Sequence, residues 1–553
     1  MEVYASIMVS RFIGEGYMRP QAVPSVCLNQ TTASKYQQLL NYLGNHRILI
    51  ILAFAASITV MFFYRPFQQM ELGDQALYDY CAQVIVRGLL PYRDVVDGKA
   101  PGSMYLSALA MTAGKSVGMR DIFAVRLLNV LFVGLLSSLT YVIGSHYLRS
   151  RTAALIGSLF PLMFPAYAMM MIAGTQPKLS MILFGMFTLL FIARDKPFWA
   201  GLFSMLACLC WQPGLMFTGV AVLIFSKYLT TWRDRRALRV VIGASIPFGV
   251  TLLYFYVNAA LADLWNWTIV FNYSFYAAKV SRPLDRALSH IWDVTEITCK
   301  GHVLYPLIGS AGLLVFLVSR VQQKFTNSER GKSSELFRDA LFLIPVIYLA
   351  FSLAHFLGDD DLIPLFPFLG LFVGWFLVAM ARSLAESRVA KLLLPRLRWV
   401  RFAPVSVPLL LLISTYAQVK EHNRDPGISL RYQDAELRLV SDLLGANDKV
   451  YVHRCLELLV FLNRTNVSKY VMFDRGKGDF IEAKMPGGLQ AVMDDIEAQS
   501  PKLLLISHLG QLSPSHRAAI RQWVEGNYES LSLDPKYEQL VPELDHVYIR
   551  KPP

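Results

Sequence analysis

Long apolar stretches, separated by short polar connections, fill most of the chain between residues 47 and 418. A helix that crosses a membrane needs roughly 20 mostly apolar residues, because its backbone polar groups must be hydrogen-bonded within the segment. The pattern therefore predicts a polytopic α-helical membrane protein with about eleven transmembrane helices, at 47–64, 122–147, 153–171, 178–193, 198–211, 213–229, 237–258, 303–320, 339–356, 362–381 and 402–418.

The pattern changes at about residue 420, where short apolar runs alternate with amphipathic helical patterns. DKVYVHR, SKYVMF and PKLLLIS are typical of strands, whereas LQAVMDDIEAQ and HRAAIRQWVEG are typical of helices. This alternation predicts a small α/β domain over residues 420–553. Residues 1–46 contain no cleavable signal pattern, so we interpret them as an N-terminal tail or as the product of a start site assigned too early.

Composition and charge agree with a membrane protein and orient it. Of the 553 residues, 54% are hydrophobic and 17% are charged, and the mean hydropathy is +0.40. The net charge is +13, and its basic residues cluster in five short connections, near 149–151, 194–196, 227–239, 320–338 and 382–401. Positively charged connections stay in the cytoplasm. The tail is therefore predicted to be cytoplasmic and the α/β domain extracytoplasmic, and nucleic acid is not needed to explain the charge.

Two connections on the predicted outer side are too long to be simple turns, 65–120 and 261–302. The first contains two helical patterns, around Asp74–Arg87 and Gly102–Lys115, joined by the turn-rich segment PYRDVVDGKAPG. The second combines the aromatic run NWTIVFNYSFY with the basic run KVSRPLDRALSH. Aromatic and basic side chains are common where membrane meets water, so this connection is expected at the membrane surface.

The first outer connection is rich in charged side chains. Glu71, Asp74 and Asp79 fall within the ten residues ELGDQALYDY. Any one of them could be solvated surface, and Asp79, which faces another side of the helix from Asp74, is interpreted in that way. The set is harder to explain as surface, because further acids and bases are interleaved at the level of the lipid headgroups: Arg87, Arg93, Asp94, Asp97 and Lys99.

The same connection carries a series of short motifs, GDQALYDYCAQVIVRGLLPYRDVVDGKAPGSMYL, followed by Arg126, Leu127 and Asn129. This series resembles the integral-membrane glycosyltransferases of the GT-C fold, and most of all the branch of protein O-mannosyltransferases and aminoarabinose lipid A transferases, glycosyltransferase family 39. The segment DLIPLFPFLGLFVGWF, which begins at Asp361, and the α/β domain resemble the same family. The resemblance implies a GT-C-like catalytic domain over residues 47–419.

The resemblance implies that the enzyme transfers a sugar from a polyprenyl-phosphate carrier to an acceptor outside the membrane. Such a reaction needs a carboxylate that takes the proton of the attacking hydroxyl and a cation that stabilises the departing phosphate. By position in the motifs, Asp74 is the expected base, and Glu71 is the alternative candidate for this role. Lys99 is the expected ligand of the carrier phosphate. Arg93 and Arg126 are further candidates for that phosphate. Asp94 and Asp97 either contact the substrate or hold Lys99 in place.

The chain also departs from the family pattern. Many relatives have a second acid directly after the first, where this chain has Gln75. The second outer loop often supplies another carboxylate, but AGTQPKLS offers Gln176 and Lys178. The second catalytic acid is therefore unassigned. Lys178 is a candidate for carrier binding, or it extends toward the membrane surface from the end of its span.

Two further groups are candidates for binding. Three consecutive acids precede the tenth predicted span, close to His355: Asp359, Asp360 and Asp361. They are expected either to bind a cation or sugar hydroxyls, or to be solvated surface charge. Arg282, in the second long connection, attracts an anionic carrier or contacts headgroups. No His or Cys cluster has the spacing of a zinc site, so the sequence leaves a divalent cation open and requires none.

The expected partners are a polyprenyl-phosphate-sugar donor, membrane lipids and an acceptor that is a lipid, a glycan or a protein. The alternative function is a non-enzymatic transporter of a lipid-linked or anionic solute. Transport sites usually lie near the middle of the bilayer, whereas the charged residues of this chain gather at one interface, which favours the enzyme. The expected location is a bacterial inner membrane.

Overall fold

The computed structural model describes residues 46–71, 73–226, 235–277, 283–299, 304–326, 332–355, 358–386, 413–421, 423, 429–473, 476–506, 514–531 and 546–551. The predicted tail lies outside these residues up to position 45, and so does most of the predicted span at 402–418.

Most of the described chain is α-helical up to residue 386. The helices there are α1 (His46–Phe63), α2 (Gly73–Val86), α3 (Gly102–Ser116), α4 (Asp121–Tyr147), α5 (Arg151–Leu159), α6 (Pro165–Ile172), α7 (Pro177–Ala193), α8 (Pro197–Cys210), α9 (Leu215–Ser226), α10 (Arg236–Val257), α11 (Leu261–Trp265), α12 (Leu284–Cys299), α13 (Leu304–Thr326), α14 (Lys332–His355) and α15 (Phe366–Glu386). Short 3-10 turns lie at Pro66–Gln68, Phe160–Met163, Gln212–Gly214 and Asp359–Leu362, and π-helical turns at Asn266–Val270 and Asn272–Tyr276.

Helices occupy the predicted spans up to 362–381, but they differ in length. Within the described ranges, three are long and apolar enough to cross a membrane alone: His46–Gln68, Asp121–Tyr147 and Arg236–Val257. A bent pair would make a fourth, and several other apolar helices are shorter. The chain therefore has helices suited to a bilayer, while the number of spans stays a prediction.

The span predicted at 153–171 is wrong as a single helix. Two helical pieces, Arg151–Met163 and Pro165–Ile172, meet there at an angle of 76°. Pro165 has no backbone N–H to continue the ladder and forces the residue before it out of the helical region. Phe164 is accordingly extended, with φ −100° and ψ 112°.

Glycines allow two apolar helices, α5 and α15, to touch backbone to backbone. A Cβ atom on Gly157 would lie 2.7 Å from the Cα of Leu371, and one on Gly370 would lie 2.4 Å from the carbonyl oxygen of Gly157. Gly374, one helical turn after Gly370, approaches the carbonyl oxygen of Ala153 in the same way. Small residues four apart are a common means of close helix packing in membranes.

The C-terminal α/β region, residues 429–551 with the gaps given above, contains a four-stranded mixed sheet. Its strands are β1 (Val450–His453), β2 (Leu503–Ile506), β3 (Tyr528–Ser530) and β4 (His546–Arg550) in the order β1-β2-β4-β3. Only β1 and β2 are parallel; β4 is antiparallel to both of its neighbours. The helices are α16 (Leu430–Ser441), α17 (Leu456–Leu462), α18 (Lys477–Lys484), α19 (Gly488–Gln499) and α20 (Pro514–Asn527).

This region packs directly on the first long connection, residues 65–120. Apolar side chains of α2 share one buried cluster with β1, β2 and α17. The Tyr80 hydroxyl accepts a hydrogen bond from the backbone N–H of Asn466 at 2.8 Å, and the Gln83 amide donates to the carbonyl oxygen of Val460 at 3.1 Å. The first connection and the α/β region thus form one packed unit beside the apolar helices.

Candidate active site

A recess opens between the start of α2, the Asp97–Lys99 turn, the π-helical turns and the α/β region. Its empty volume is about 460 Å³. It contains two of the residues favoured by sequence, Asp74 and Lys99, and its lining is Asp74, Leu77, Tyr78, Asp97, Gly98, Lys99, Phe271, Asn272, Tyr276, Arg454, Met472 and Lys477.

Asp74 lies in the first turn of α2, directly after Gly73. Gly73 has a φ of +51°, a left-handed conformation that glycine adopts without strain, so the chain can enter the helix abruptly. The positive end of the helix dipole favours a carboxylate at this position. The side chain is half-buried, and the Tyr78 hydroxyl donates a long hydrogen bond of 3.5 Å to its Oδ2.

Lys99 is presented by a turn whose backbone is held on both sides. The Lys99 N–H donates to Asp97 Oδ2 at 2.9 Å, and the Lys99 carbonyl oxygen accepts a hydrogen bond from the Tyr92 hydroxyl at 2.7 Å. Its ammonium lies 5.6 Å from the centre of the Trp211 ring. Among the described residues no carboxylate pairs with this ammonium, which leaves it available to an anion.

Gly98 ties the same turn to two other elements. Its carbonyl oxygen accepts hydrogen bonds from Gln212 Nε2 and Asn272 Nδ2, each at 2.7 Å. A Cβ atom at this position would lie 3.1 Å from the Phe271 ring, so the glycine allows the π-helical turn to approach. The apolar helices and the second long connection therefore both fix the position of Lys99.

Lys178 and Asp361, which sequence reasoning treated separately, form a buried ion pair. Lys178 Nζ lies 2.7 Å from Asp361 Oδ1, and both side chains are almost completely buried. The same ammonium is 4.9 Å from the Trp211 ring centre, so Lys99 and Lys178 both lie close to one indole. The Tyr348 hydroxyl donates to the carbonyl oxygen of Asp361 at 2.9 Å. The pair therefore lies beside the indole that Lys99 also approaches.

Arg126 is completely buried and organises the start of the first connection. Its guanidinium is 2.9 Å from Glu71 Oε2. It also donates to four backbone carbonyl oxygens, at 2.6 to 3.1 Å: those of Pro66, Gln69, Met70 and Ala173. These partners use the whole planar group, so Arg126 holds the chain that leads to Asp74 and does not reach the recess lining.

Asp79 is fully buried, so the prediction that it is a surface residue is wrong. Its Oδ1 accepts hydrogen bonds from the backbone N–H, at 3.0 Å, and the hydroxyl of Thr175. Glu71 Oε1 and Asp79 Oδ2 both face Gly174, where a Cβ atom would lie 2.7 Å and 3.0 Å from them.

Glu71 and Asp79 are neighbouring buried carboxyl groups, whose Oε1 and Oδ2 both lie against Gly174. Burial, reinforced by the charge of Asp79 and opposed by Arg126, raises the pKa of Glu71 well above its usual range. Burial also raises the pKa of Asp79, against the hydrogen bonds that it accepts. Two buried carboxyl groups in contact favour sharing one proton. Glu71 is therefore bound within the protein, behind Asp74.

Arg93 and Asp94 stabilise the preceding turn. Arg93 pairs with Asp94 at 2.8 Å and is largely exposed. Asp94 Oδ2 accepts the backbone N–H of Leu90 at 2.7 Å. Neither side chain belongs to the recess lining. Of the other candidates, Arg282 and the side chains of His355, Asp359 and Asp360 lie outside the described residues.

Sequence reasoning missed two cations of the α/β region, Arg454 and Lys477, which line the recess. Arg454 has a φ of +74°, a strained backbone conformation that is often found at functional sites. No local sequence pattern pairs these residues with Asp74, since about 400 positions separate them. The aromatic run at 266–276 was interpreted as a membrane anchor; its Phe271 and Tyr276 also line the recess. No cluster of three potential metal ligands occurs within the described ranges.

Comparisons with known proteins bear on the fold. No family model matches the chain. A curated relative, the dolichol phosphate-mannose mannosyltransferase of Haloferax volcanii, is 23% identical over 257 residues, 46% of this chain and 53% of that protein. The chain thus spans about half the length of this relative.

Solved structures match over much more of the chain. ArnT from Cupriavidus metallidurans has a TM-score of 0.60 and 12% identity in its apo state, and 0.58 and 13% when bound to undecaprenyl phosphate. Each match covers 90% of this chain and 97% of ArnT. The apo oligosaccharyltransferase of Archaeoglobus fulgidus has a TM-score of 0.50 and 10% identity, covering 88% of this chain and 73% of that protein.

The chain has the GT-C fold. The resemblance inferred from the first-connection motifs is thereby confirmed at the level of the fold. The apolar helices and these neighbours also make it an integral membrane protein.

Proposed function

We propose that this GT-C protein is a glycosyltransferase that moves a sugar from a polyprenyl-phosphate donor to an acceptor on the outer face of the membrane. The observation that carries the proposal is the meeting of Asp74 and Lys99, a carboxylate and a cation 25 positions apart, in one recess beside apolar helices. A transfer from a lipid phosphate needs these two groups in one place.

In the proposed reaction, Asp74 orients the acceptor hydroxyl and takes its proton as the oxygen attacks the anomeric carbon. The new glycosidic C–O bond forms while the bond between that carbon and the phosphate oxygen breaks. The electron pair leaves with the polyprenyl phosphate, whose charge Lys99 stabilises. Tyr78, Asn272 and Tyr276, which line the recess, are placed to contact the sugar.

The roles of the remaining candidates follow from their contacts. Glu71 and Arg126 hold the chain before Asp74, and Asp94 with Arg93 holds the turn before Asp97. Lys178 and Asp361 lie beside Trp211, the indole next to Lys99. Asp361 is therefore a positioning residue that holds the Lys178 ammonium beside Trp211, and the second catalytic acid stays unassigned.

The donor and topology belong to the same proposal. A polyprenyl carrier is supported by the undecaprenyl phosphate in the ArnT structure and by the dolichol phosphate-mannose of the curated relative. The proposal places about eleven spans in a bacterial inner membrane, with a cytoplasmic N-terminus and the recess and α/β region outside. The acceptor is a lipid, a glycan or a protein.

The test is transfer by the purified protein in lipid nanodiscs. Radiolabelled polyprenyl-phosphate mannose is given first, followed by other polyprenyl-phosphate hexoses and pentoses, with membrane extract as the acceptor source. We expect Asp74→Asn to lower kcat about 100-fold or more, because it removes the proton acceptor. Lys99→Ala should lower kcat about 100-fold, because it removes a charge that acts on the leaving phosphate.

The matched control is Asp285→Asn, which changes an exposed acid on α12 and should leave transfer unchanged. Undiminished transfer by both the Asp74 and the Lys99 variant would contradict the site. If the parent protein transfers no sugar from any of these donors, the proposed function is wrong.

A further inference from the structure

Lys477 is the first residue of α18 and reaches into the recess from the α/β region. Gly476 precedes it with a φ of +86°, a conformation that glycine permits and that starts the helix at this point. Only 10% of the lysine side chain is exposed. Its Nζ lies 4.0 Å from Asp97 Oδ1 and 3.8 Å from Met472 Sδ.

Asp97 connects this lysine to the turn that presents Lys99. While Oδ1 faces Lys477, Oδ2 accepts the backbone N–H of Lys99 at 2.9 Å. Only 7% of the Asp97 side chain is exposed, so water screens its charge poorly. A buried carboxylate that loses its counter-charge is strongly unfavourable, and it draws in any cation within reach.

The α/β region is fixed at this turn by a second contact. The Val96 N–H donates to the carbonyl oxygen of Lys469 at 3.0 Å. Asp97 follows directly, so the backbone of the two parts is joined one residue from the ion pair. The turn that carries Asp97 is therefore joined by its backbone to the α/β region that carries Lys477.

We infer that Lys477 is a positioning residue of the carrier-phosphate site, an inference that rests on the proposed function. By compensating Asp97, it keeps this carboxylate bonded to the Lys99 backbone and leaves the Lys99 ammonium free to bind phosphate. Without Lys477, the cations left in the lining are Lys99 and Arg454. Asp97 already contacts the Lys99 backbone, so it then pairs with the Lys99 ammonium and competes with the phosphate of the donor.

The experiment is a double-mutant cycle on the full-length protein, with polyprenyl-phosphate sugar as substrate and polyprenyl phosphate as competitive inhibitor. Lys477→Met should raise both the donor KM and the inhibition constant about 10-fold, with a smaller change in kcat, because the affected step is phosphate binding. Lys477→Arg should retain most of the parent affinity. In an Asp97→Asn background, Lys477→Met should change neither constant, because no carboxylate remains to be compensated.

Lys484→Met is the matched control, since Lys484 is exposed at the other end of α18 and should not affect either constant. Unchanged constants in Lys477→Met overturn the inference. So does an equal loss in the Asp97→Asn background, which would make Lys477 a direct ligand or a purely structural residue. If Lys477→Met does not fold, the double variant still tests the inference, because constants above those of Asp97→Asn alone would overturn it. Failure of the proposed function is distinguishable, because the parent itself would then transfer no sugar.

Discussion

Glu71, Asp74 and Asp79 lie within nine residues of one another and occupy different environments. Asp74 borders the recess, whereas Glu71 and Asp79 are buried together behind it. The sequence alone indicates Asp74 through the motif. It cannot indicate the burial of Asp79, which depends on Thr175 in a connection 96 positions later. A helical pattern assigns a residue to a face of its helix, but only the tertiary packing decides what covers that face.

The buried carboxyl pair leads to a prediction of pH dependence. Because folding raises the pKa of Glu71 and Asp79, the folded state binds more protons than the unfolded state above the ordinary carboxyl pKa of about 4. Stability should therefore fall as pH rises from that value through the raised pKa of the pair. Thermal unfolding in detergent from pH 5 to pH 9 measures this slope.

Two variants of Asp79 isolate the effect. Asp79→Asn keeps an acceptor for Thr175 and offers an N–H to Glu71, so it should unfold near the parent temperature with a flatter pH slope. Asp79→Ala removes the acceptor of the buried Thr175 N–H and should lower stability by about 1–3 kcal/mol. A slope as steep in Asp79→Asn as in the parent would show that the pair does not hold the proton.

At the scale of elements, the length of the apolar stretches predicted the apolar helices, and helical patterns predicted the two helices of the first connection. The predicted pieces at Asp74–Arg87 and Gly102–Lys115 appear as Gly73–Val86 and Gly102–Ser116. Two of the predicted strands are confirmed as β1 and β2. The SKYVMF run is not a strand, and the backbone N–H of Phe473 donates to the His453 ring and not to a neighbouring strand. Apolar, β-branched runs fit a strand or any other buried segment, so local pattern could not separate these cases.

The contact between α5 and α15 predicts a strong position dependence of glycine substitution. Gly157→Ala and Gly370→Ala each place a Cβ against backbone atoms, which cannot rotate away. Each should destabilise the protein by about 1–3 kcal/mol, measured by thermal unfolding in detergent.

Gly219 offers the matched control, because it is also helical and no atom lies within 4 Å of its Cβ position. Gly219→Ala should therefore be neutral or stabilising by up to about 1 kcal/mol. Equal effects at the three glycines would mean that helix propensity and not helix contact determines the result.

At the scale of the whole molecule, the recess is made from parts of the chain that are distant in sequence. The first connection gives Asp74 and Lys99, the second gives Phe271 and Tyr276, and the α/β region gives Lys477. Sequence could single out Asp74 and Lys99 of the first connection, which the structure brings to one recess, since their motif is local. It could not predict that the α/β region closes the recess, because that depends on packing across hundreds of positions.

Gln433 of α16 ties the α/β region to the chain just before Asp74, and this contact predicts coupling between docking and catalysis. Its amide oxygen accepts the Glu71 N–H at 2.9 Å, and its amide nitrogen donates to the Glu71 carbonyl oxygen at 2.8 Å. The side chain is completely buried. Gln433→Leu leaves both backbone groups buried without partners, which should lower stability by about 2–4 kcal/mol.

The same substitution should speed hydrogen exchange at the Glu71 amide. It should also reduce sugar transfer, because Asp74 is only three residues from Glu71, although Gln433 itself does not line the recess. Gln490→Leu, which removes an exposed glutamine whose amide bonds Asp494 within α19, should change none of the three measurements. If Gln433→Leu exchanged faster at Glu71 but transferred sugar at the parent rate, the α/β region would stabilise the first connection without positioning Asp74. Loss of transfer together with faster exchange is the result expected if the α/β region holds Asp74, the proposed catalytic carboxylate, in place.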